Sequence, residues 1–183
     1  HPSGLANSSG LVGRNYMCHQ NGCLIMVTQE PNTSAFQKHF AITDYYHGAP
    51  DSPHPLGIIQ LMGKPDTGTL EWLRGDALPG VPISDIKQRT IDFFLTAEDL
   101  PDPNNRVSLR PDGSIRVSYT RNNTEAYSRL EVKTKALLTA AQWRRGRHAP
   151  TFFGQRLGVS GVSHQNGTMR FGTDPAQSVL DVD

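Results

Sequence analysis

An α+β fold, an antiparallel sheet covered by helices, is predicted by three features of this sequence. Short apolar runs recur between loops rich in Gly and Pro, of which the 183 residues contain 17 and 13. One pair of runs alternates apolar and polar residues around Pro111-Asp112-Gly113, the signature of a hairpin with one wet face. One long segment repeats its apolar residues at helical spacing.

The elements follow in chain order. Residues His1 to Gly13 are small and polar and read as a surface connector. Cys23 to Thr28 (Cys-Leu-Ile-Met-Val-Thr) reads as a buried strand. Phe40 to Tyr45 and Gly57 to Met62 are further strands, separated by a loop from His47 to Pro55 that holds three Pro. Gly75 to Ser84 is a second Gly/Pro loop. Thr90 to Thr96 places Ile91, Phe93 and Leu95 on one strand face, and prolines end it after Asp99. Arg106 to Arg110 and Ile115 to Thr120 form the hairpin. Asn122 is then a helix N-cap, with Glu125 at the capping-box position three residues on. Leu130, Leu137, Leu138 and Ala141 form the apolar face of that helix, which ends before Gly146.

Composition narrows the function classes. Hydrophobic residues make up 36% and charged residues 19%, a somewhat polar, loop-rich chain. A formal net charge of +1 provides no bulk attraction to nucleic acid or to an acidic membrane surface. No apolar run approaches the roughly 20 residues that span a bilayer. Cys18 and Cys23 lack the C-x-x-C spacing of redox and zinc motifs and read as ordinary thiols. Four N-x-S/T strings, at Asn7, Asn32, Asn122 and Asn166, matter only in a secretory pathway. His47, Asp51 and His54 carry metal-ligand chemistry, but their proline-rich loop fixes no geometry, and no metal is expected. No G-x-S-x-G elbow supports serine hydrolysis. Trp72, Trp143, Phe152 and Phe153 read as packing residues.

The densest chemistry lies near the C-terminus, in Ser163-His164-Gln165-Asn166-Gly167-Thr168-Met169-Arg170-Phe171-Gly172. A histidine exchanges a proton near neutral pH, and a glycine lets backbone approach closely. This segment resembles the C-terminal active-site segment of the glucose-methanol-choline (GMC) oxidoreductases, flavoenzymes that oxidise alcohols. Val12-Gly13-Arg14-Asn15-Tyr16-Met17-Cys18-His19 resembles that family's V-G-x-N-L-x-x-H stretch. Glu98-Asp99-Leu100-Pro101-Asp102-Pro103-Asn104-Asn105-Arg106-Val107 resembles its E-x-x-P-x-P-x-N-R-V segment. The three matches occur in the family's order and span most of the chain.

The resemblance implies a division into a connector over 1–16, a substrate-binding domain over 17–156, and a segment over 157–183 that returns to a flavin domain. It implies His164 as the catalytic base that takes the proton of an alcohol substrate while FAD takes the hydride. Gln165 and Asn166 either line the substrate site or solvate its loop. Gly167 and Thr168 would shape the backbone under the flavin edge, and Arg170 either favours a reduced anionic flavin or makes a surface ion pair. Two departures are plain: the G-x-G-x-x-G dinucleotide fingerprint is absent, and the family's second catalytic His or Asn falls beyond Asp183. The chain thus reads as a fragment, inactive by itself, whose FAD is bound mainly by the remainder of the parent protein. Its partners would be that remainder and a small alcohol. Apolar surface near Phe152, Phe153 and Phe171 would favour self-association. The competing reading is a non-catalytic α+β binding or structural module.

Overall fold

The computed structural model describes residues 4–34, 36 and 38–183. The fold is α+β, with three helices, a five-stranded antiparallel sheet and two smaller sheets among the described residues. The chain divides into two compact units, each assembled from separated stretches of sequence. One comprises 1–19, 99–123 and 159–183, and the other 20–98 and 124–158.

The larger unit is built on β2 (Gln20–Val27), β3 (Ala41–Ile42), β4 (Ile58–Leu61), β5 (Thr90–Ala97) and β8 (Thr151–Arg156), in the order β3-β4-β5-β2-β8. Every neighbouring pair is antiparallel. The centre is β2 against β5, registered from Gln20↔Ala97 to Val27↔Thr90. Seven consecutive residues of β2 are buried, Gln20 to Met26. A strand buried on both faces loses the polar alternation of a half-exposed one, and the run at 23–28 carries that signature.

Helices cover both faces of this sheet, where the sequence pattern predicted a single long helix. Helix α3 (Thr124–Arg144) packs Ala126, Tyr127 and Leu130 against Leu24, Met26, Ile59, Leu61, Phe93 and Leu95. On the opposite face, α1 (Thr67–Arg74) and α2 (Ile83–Arg89) bring Leu70, Leu73 and Ile86 to Cys23, Ile25 and Phe153. Helix α1 is started by Asp66, whose carboxylate accepts the N–H of Thr69 at 3.0 Å. Neither short helix shows more than two turns of periodicity, so the sequence pattern left 67–74 unassigned and gave the start of α2 to a loop.

Helix α3 begins at Thr124, and Asn122 does not cap it with its side chain. The Asn122 amide donates to the Leu100 carbonyl at 2.8 Å and its oxygen accepts the Leu100 N–H at 3.0 Å. A non-local partner has outcompeted the local cap. The buried stripe of α3 runs through Tyr127, Leu130 and Thr134, while Leu137 is 40% exposed. Thr134 tolerates burial because its hydroxyl donates to the Leu130 carbonyl at 2.7 Å. Trp72 and Trp143, expected in packing, are 49% and 63% exposed, whereas Phe153 is a core residue.

The smaller unit contains the hairpin β6 (Arg106–Leu109) and β7 (Ile115–Ser118), and a short ladder of β1 (Met17–Cys18) with β9 (Gln165–Asn166). Asp112 closes the hairpin turn by accepting the Ser114 N–H at 2.9 Å. Leu109 and Ile115 are exposed, so the apolar face of this hairpin is wet at its turn end and covered only toward Val107. The unit's core is Tyr16, Cys18 and Val162, with Val107, Tyr119 and Val159 against it.

Candidate functional site

The three motif-bearing segments, 12–19, 98–107 and 163–172, all lie in the smaller unit apart from Glu98, the last residue of the larger unit's first stretch. Gly13 is where all three meet. Its carbonyl accepts the Val107 N–H at 2.8 Å, and its own N–H donates to the Thr168 carbonyl at 2.9 Å. Gly13 lies at φ +82°, and a Cβ there would stand 2.3 Å from the Val107 carbonyl oxygen. Only glycine admits both that backbone conformation and that approach. The Tyr16 N–H donates to the Asn105 carbonyl at 2.9 Å, which extends the junction.

A carboxylate organises the next layer. Asp99, buried, accepts the Cys18 N–H at 3.1 Å and the Tyr119 hydroxyl at 3.0 Å. The rings of Tyr16 and Tyr119 meet edge to face, 5.7 Å between centroids. Burial raises the Cys18 thiol above its ordinary range, and the neighbouring Tyr119 hydroxyl opposes that rise. A buried, protonated thiol is a packing group and a poor nucleophile, in line with the reading of Cys18 as ordinary. Cys23, in the other unit, is pushed up to about 11, by burial first and by the charge of Asp92 second.

His164 projects from the loop between a 3₁₀ turn (Val159–Gly161) and β9, and it is exposed. The β1–β9 ladder pairs Met17 with Asn166 and Cys18 with Gln165. The next position in that register sets His19 opposite His164, and their rings meet edge to face with centroids 5.2 Å apart. Gly167 lies at φ +89°, where a Cβ would fall 1.9 Å from the Asn15 carbonyl oxygen. Its glycine is therefore demanded by the crossing of its own chain with residue 15.

The site residues named from sequence are contiguous, so the structure adds their orientation. The Gln165 amide donates to the Val162 carbonyl at 2.9 Å, which ties it to the loop. Asn166 is exposed, and Gly167 and Thr168 are half-buried. Arg170 is exposed, its carbonyl accepting the N–H groups of Val179 and Leu180. Phe171 is 68% exposed, as the self-association reading required, but Phe153 is not. In the sequence His19 is only the last letter of the first motif and carries no role. The signal that could have found it was the antiparallel pairing of its own segment with 163–166.

The cluster His47, Asp51 and His54 holds no metal-ligand geometry. Among the described residues, no three His, Cys, Asp or Glu side chains are grouped to hold an ion. Asp51 instead pairs with Lys133 at 2.7 Å and Arg129 at 3.4 Å, and the Lys133 hydrogen bond holds its carboxyl below the usual range. No helix among the described residues is long and apolar enough to cross a membrane.

Compared with known proteins, the chain matches no family model and no curated sequence.

Proposed function

We propose that this chain is the substrate-binding part of a flavin-dependent alcohol oxidoreductase resembling the GMC enzymes, with His164 as the base. The observation that carries the reading is the meeting of the three motif segments. Residues 12–19, 99–107 and 163–172 are far apart in sequence, yet they are joined in one unit by the backbone bonds of Gly13, Tyr16 and the β1–β9 ladder. Separated motifs that meet in one unit, one of them carrying an exposed histidine, are more informative than any one of them alone.

The chemistry follows from an alcohol's needs. Oxidation removes a hydride from the carbinol carbon and a proton from its oxygen. FAD, held mainly by the rest of the parent protein, would supply the hydride acceptor. The residues here fit a flavin ring in two respects. His164 is exposed, and three residues on Gly167 crosses the Asn15 carbonyl with no room for a Cβ, with Thr168 directly after it. His164 accepts the hydroxyl proton at a ring nitrogen. Gln165 and Asn166 flank it with donors and acceptors suited to an alcohol oxygen.

The test uses the complete gene product. It should be yellow with bound FAD, and anaerobic mixing with its best alcohol should bleach the flavin. His164→Ala should keep FAD and lower the rate of flavin reduction by about 10²–10⁴-fold, the usual worth of general-base assistance. A parental rate in that variant removes His164 as the base. A colourless complete protein removes the oxidoreductase reading and favours a binding module.

A further inference from the structure

His19 belongs to no site named so far, yet its placement is fixed by the same backbone that fixes His164. In the β1–β9 ladder the paired residue numbers are 17 with 166 and 18 with 165. Continuing one step beyond the ladder gives 19 with 164, so the two histidines face each other where the strands end, and side chains so placed interact directly. Their rings are 5.2 Å apart between centroids and inclined at 78°. Aromatic rings prefer this edge-to-face arrangement within about 4.5–7 Å. His19 is half-buried and His164 exposed, so the firmer ring flanks the freer one. Behind them Gly167 crosses Asn15 with no room for a Cβ, and Gly13 donates to Thr168, so the ladder has little freedom to slip.

We propose that His19 is a positioning residue for His164: its ring holds the neighbouring imidazole in the orientation that takes the substrate proton. The proposal rests on the assignment of His164 as base. It adds a second histidine that touches His164 and acts through it. An exposed side chain samples several rotamers. A ring packed against one side restricts them, and misplacement of a catalytic group by about 1 Å can cost about 10²-fold in rate.

The complete gene product, as its flavin-bound holoenzyme, separates the possibilities. Four proteins are compared by anaerobic stopped-flow with the best alcohol substrate: the parent, His19→Ala, His164→Ala and the double variant. His19→Phe, which keeps a ring at the edge, is measured beside them. His19→Ala should lower the limiting rate of flavin reduction by about 10–100-fold, with substrate Kd changed less than about twofold. His19→Phe should recover most of that loss. In the His164→Ala background, His19→Ala should have no further effect, because a positioning residue has nothing left to position. If His19→Ala loses its flavin, His19→Gln, which removes the ring and keeps a polar group, replaces it in the cycle.

The proposal is overturned by a parental rate in His19→Ala, by losses that multiply in the double variant, or by a His19→Phe protein as slow as His19→Ala. A silent His19→Ala beside a slow His164→Ala removes this inference alone. A His164→Ala protein with the parental rate removes the proposed function, and the positioning role with it.

Discussion

At the residue scale, the most consequential group outside the candidate site is Asp92. It sits on the β5 face that α1 and α2 cover, 2% exposed. Its Oδ2 accepts the Thr90 hydroxyl at 3.0 Å, and its Oδ1 is buried with no hydrogen-bond partner. Lys64 is near, but its ammonium donates to the carbonyls of Lys87 and Thr90 and to the Thr90 hydroxyl. Burial therefore dominates, and the Asp92 carboxyl is raised from 3.8 to about 6. The folded state then holds this proton more tightly than the unfolded state does. Stability is insensitive to Asp92 below about pH 4, falls as pH rises from about 4 to 6, and stays reduced above that. The full effect is about 3 kcal/mol at pH 7. Asp92→Asn, which cannot ionise, should lose this slope. Urea denaturation from pH 4 to 7.5 should show the variant gaining on the parent as pH rises; parallel curves would contradict the assignment.

At the scale of elements, α3 and the short helices differ in what makes them helical. Helix α3 spans 21 residues and is readable from its own sequence. Its docking depends on a few side chains, chiefly Tyr127 and Leu130, the latter fully buried. Leu130→Ala removes a branched side chain from the layer between α3 and the sheet. The expected loss is about 2–5 kcal/mol, read from the midpoint of chemical unfolding. Leu137→Ala, one heptad later and 40% exposed, should cost far less. Equal costs would mean that the buried stripe continues along the whole helix. Helices α1 and α2, of eight and seven residues, are too short to be stable alone and depend on burying Leu70, Leu73 and Ile86.

At the scale of the whole molecule, protection against opening should be uneven. The β2–β5 pair is central in its sheet and buried on both faces, whereas the β6–β7 hairpin is two strands with exposed Leu109 and Ile115. Opening free energies rise with buried apolar contact and fall with exposed backbone bonds. Hydrogen exchange read by mass spectrometry should find the slowest amides in peptides covering 22–26 and 91–95. Peptides covering 106–118 should exchange fastest among the strands. Uniform exchange across both sheets would refute this ordering.

Some of this protein was determined by its sequence alone. The hairpin, the central strands and α3 announce themselves because their signals are local: alternation, a turn triplet, a 3.6-residue period. The contiguous run from His164 to Thr168 was legible for the same reason. Other features were decided only by tertiary structure. Strand β8 was hidden by Gly154, and α1 and α2 by their shortness; each is held by the sheet it covers or extends. The capping role of Asn122 was lost to Leu100, because a backbone group 22 residues away offered both a donor and an acceptor. The meeting of His19 with His164 joins residues 145 apart through a two-residue ladder, and no window of sequence contains both. Local periodicity records what a segment can be. Which segments meet depends on burial and backbone pairing across the chain, and those appear only once it has folded.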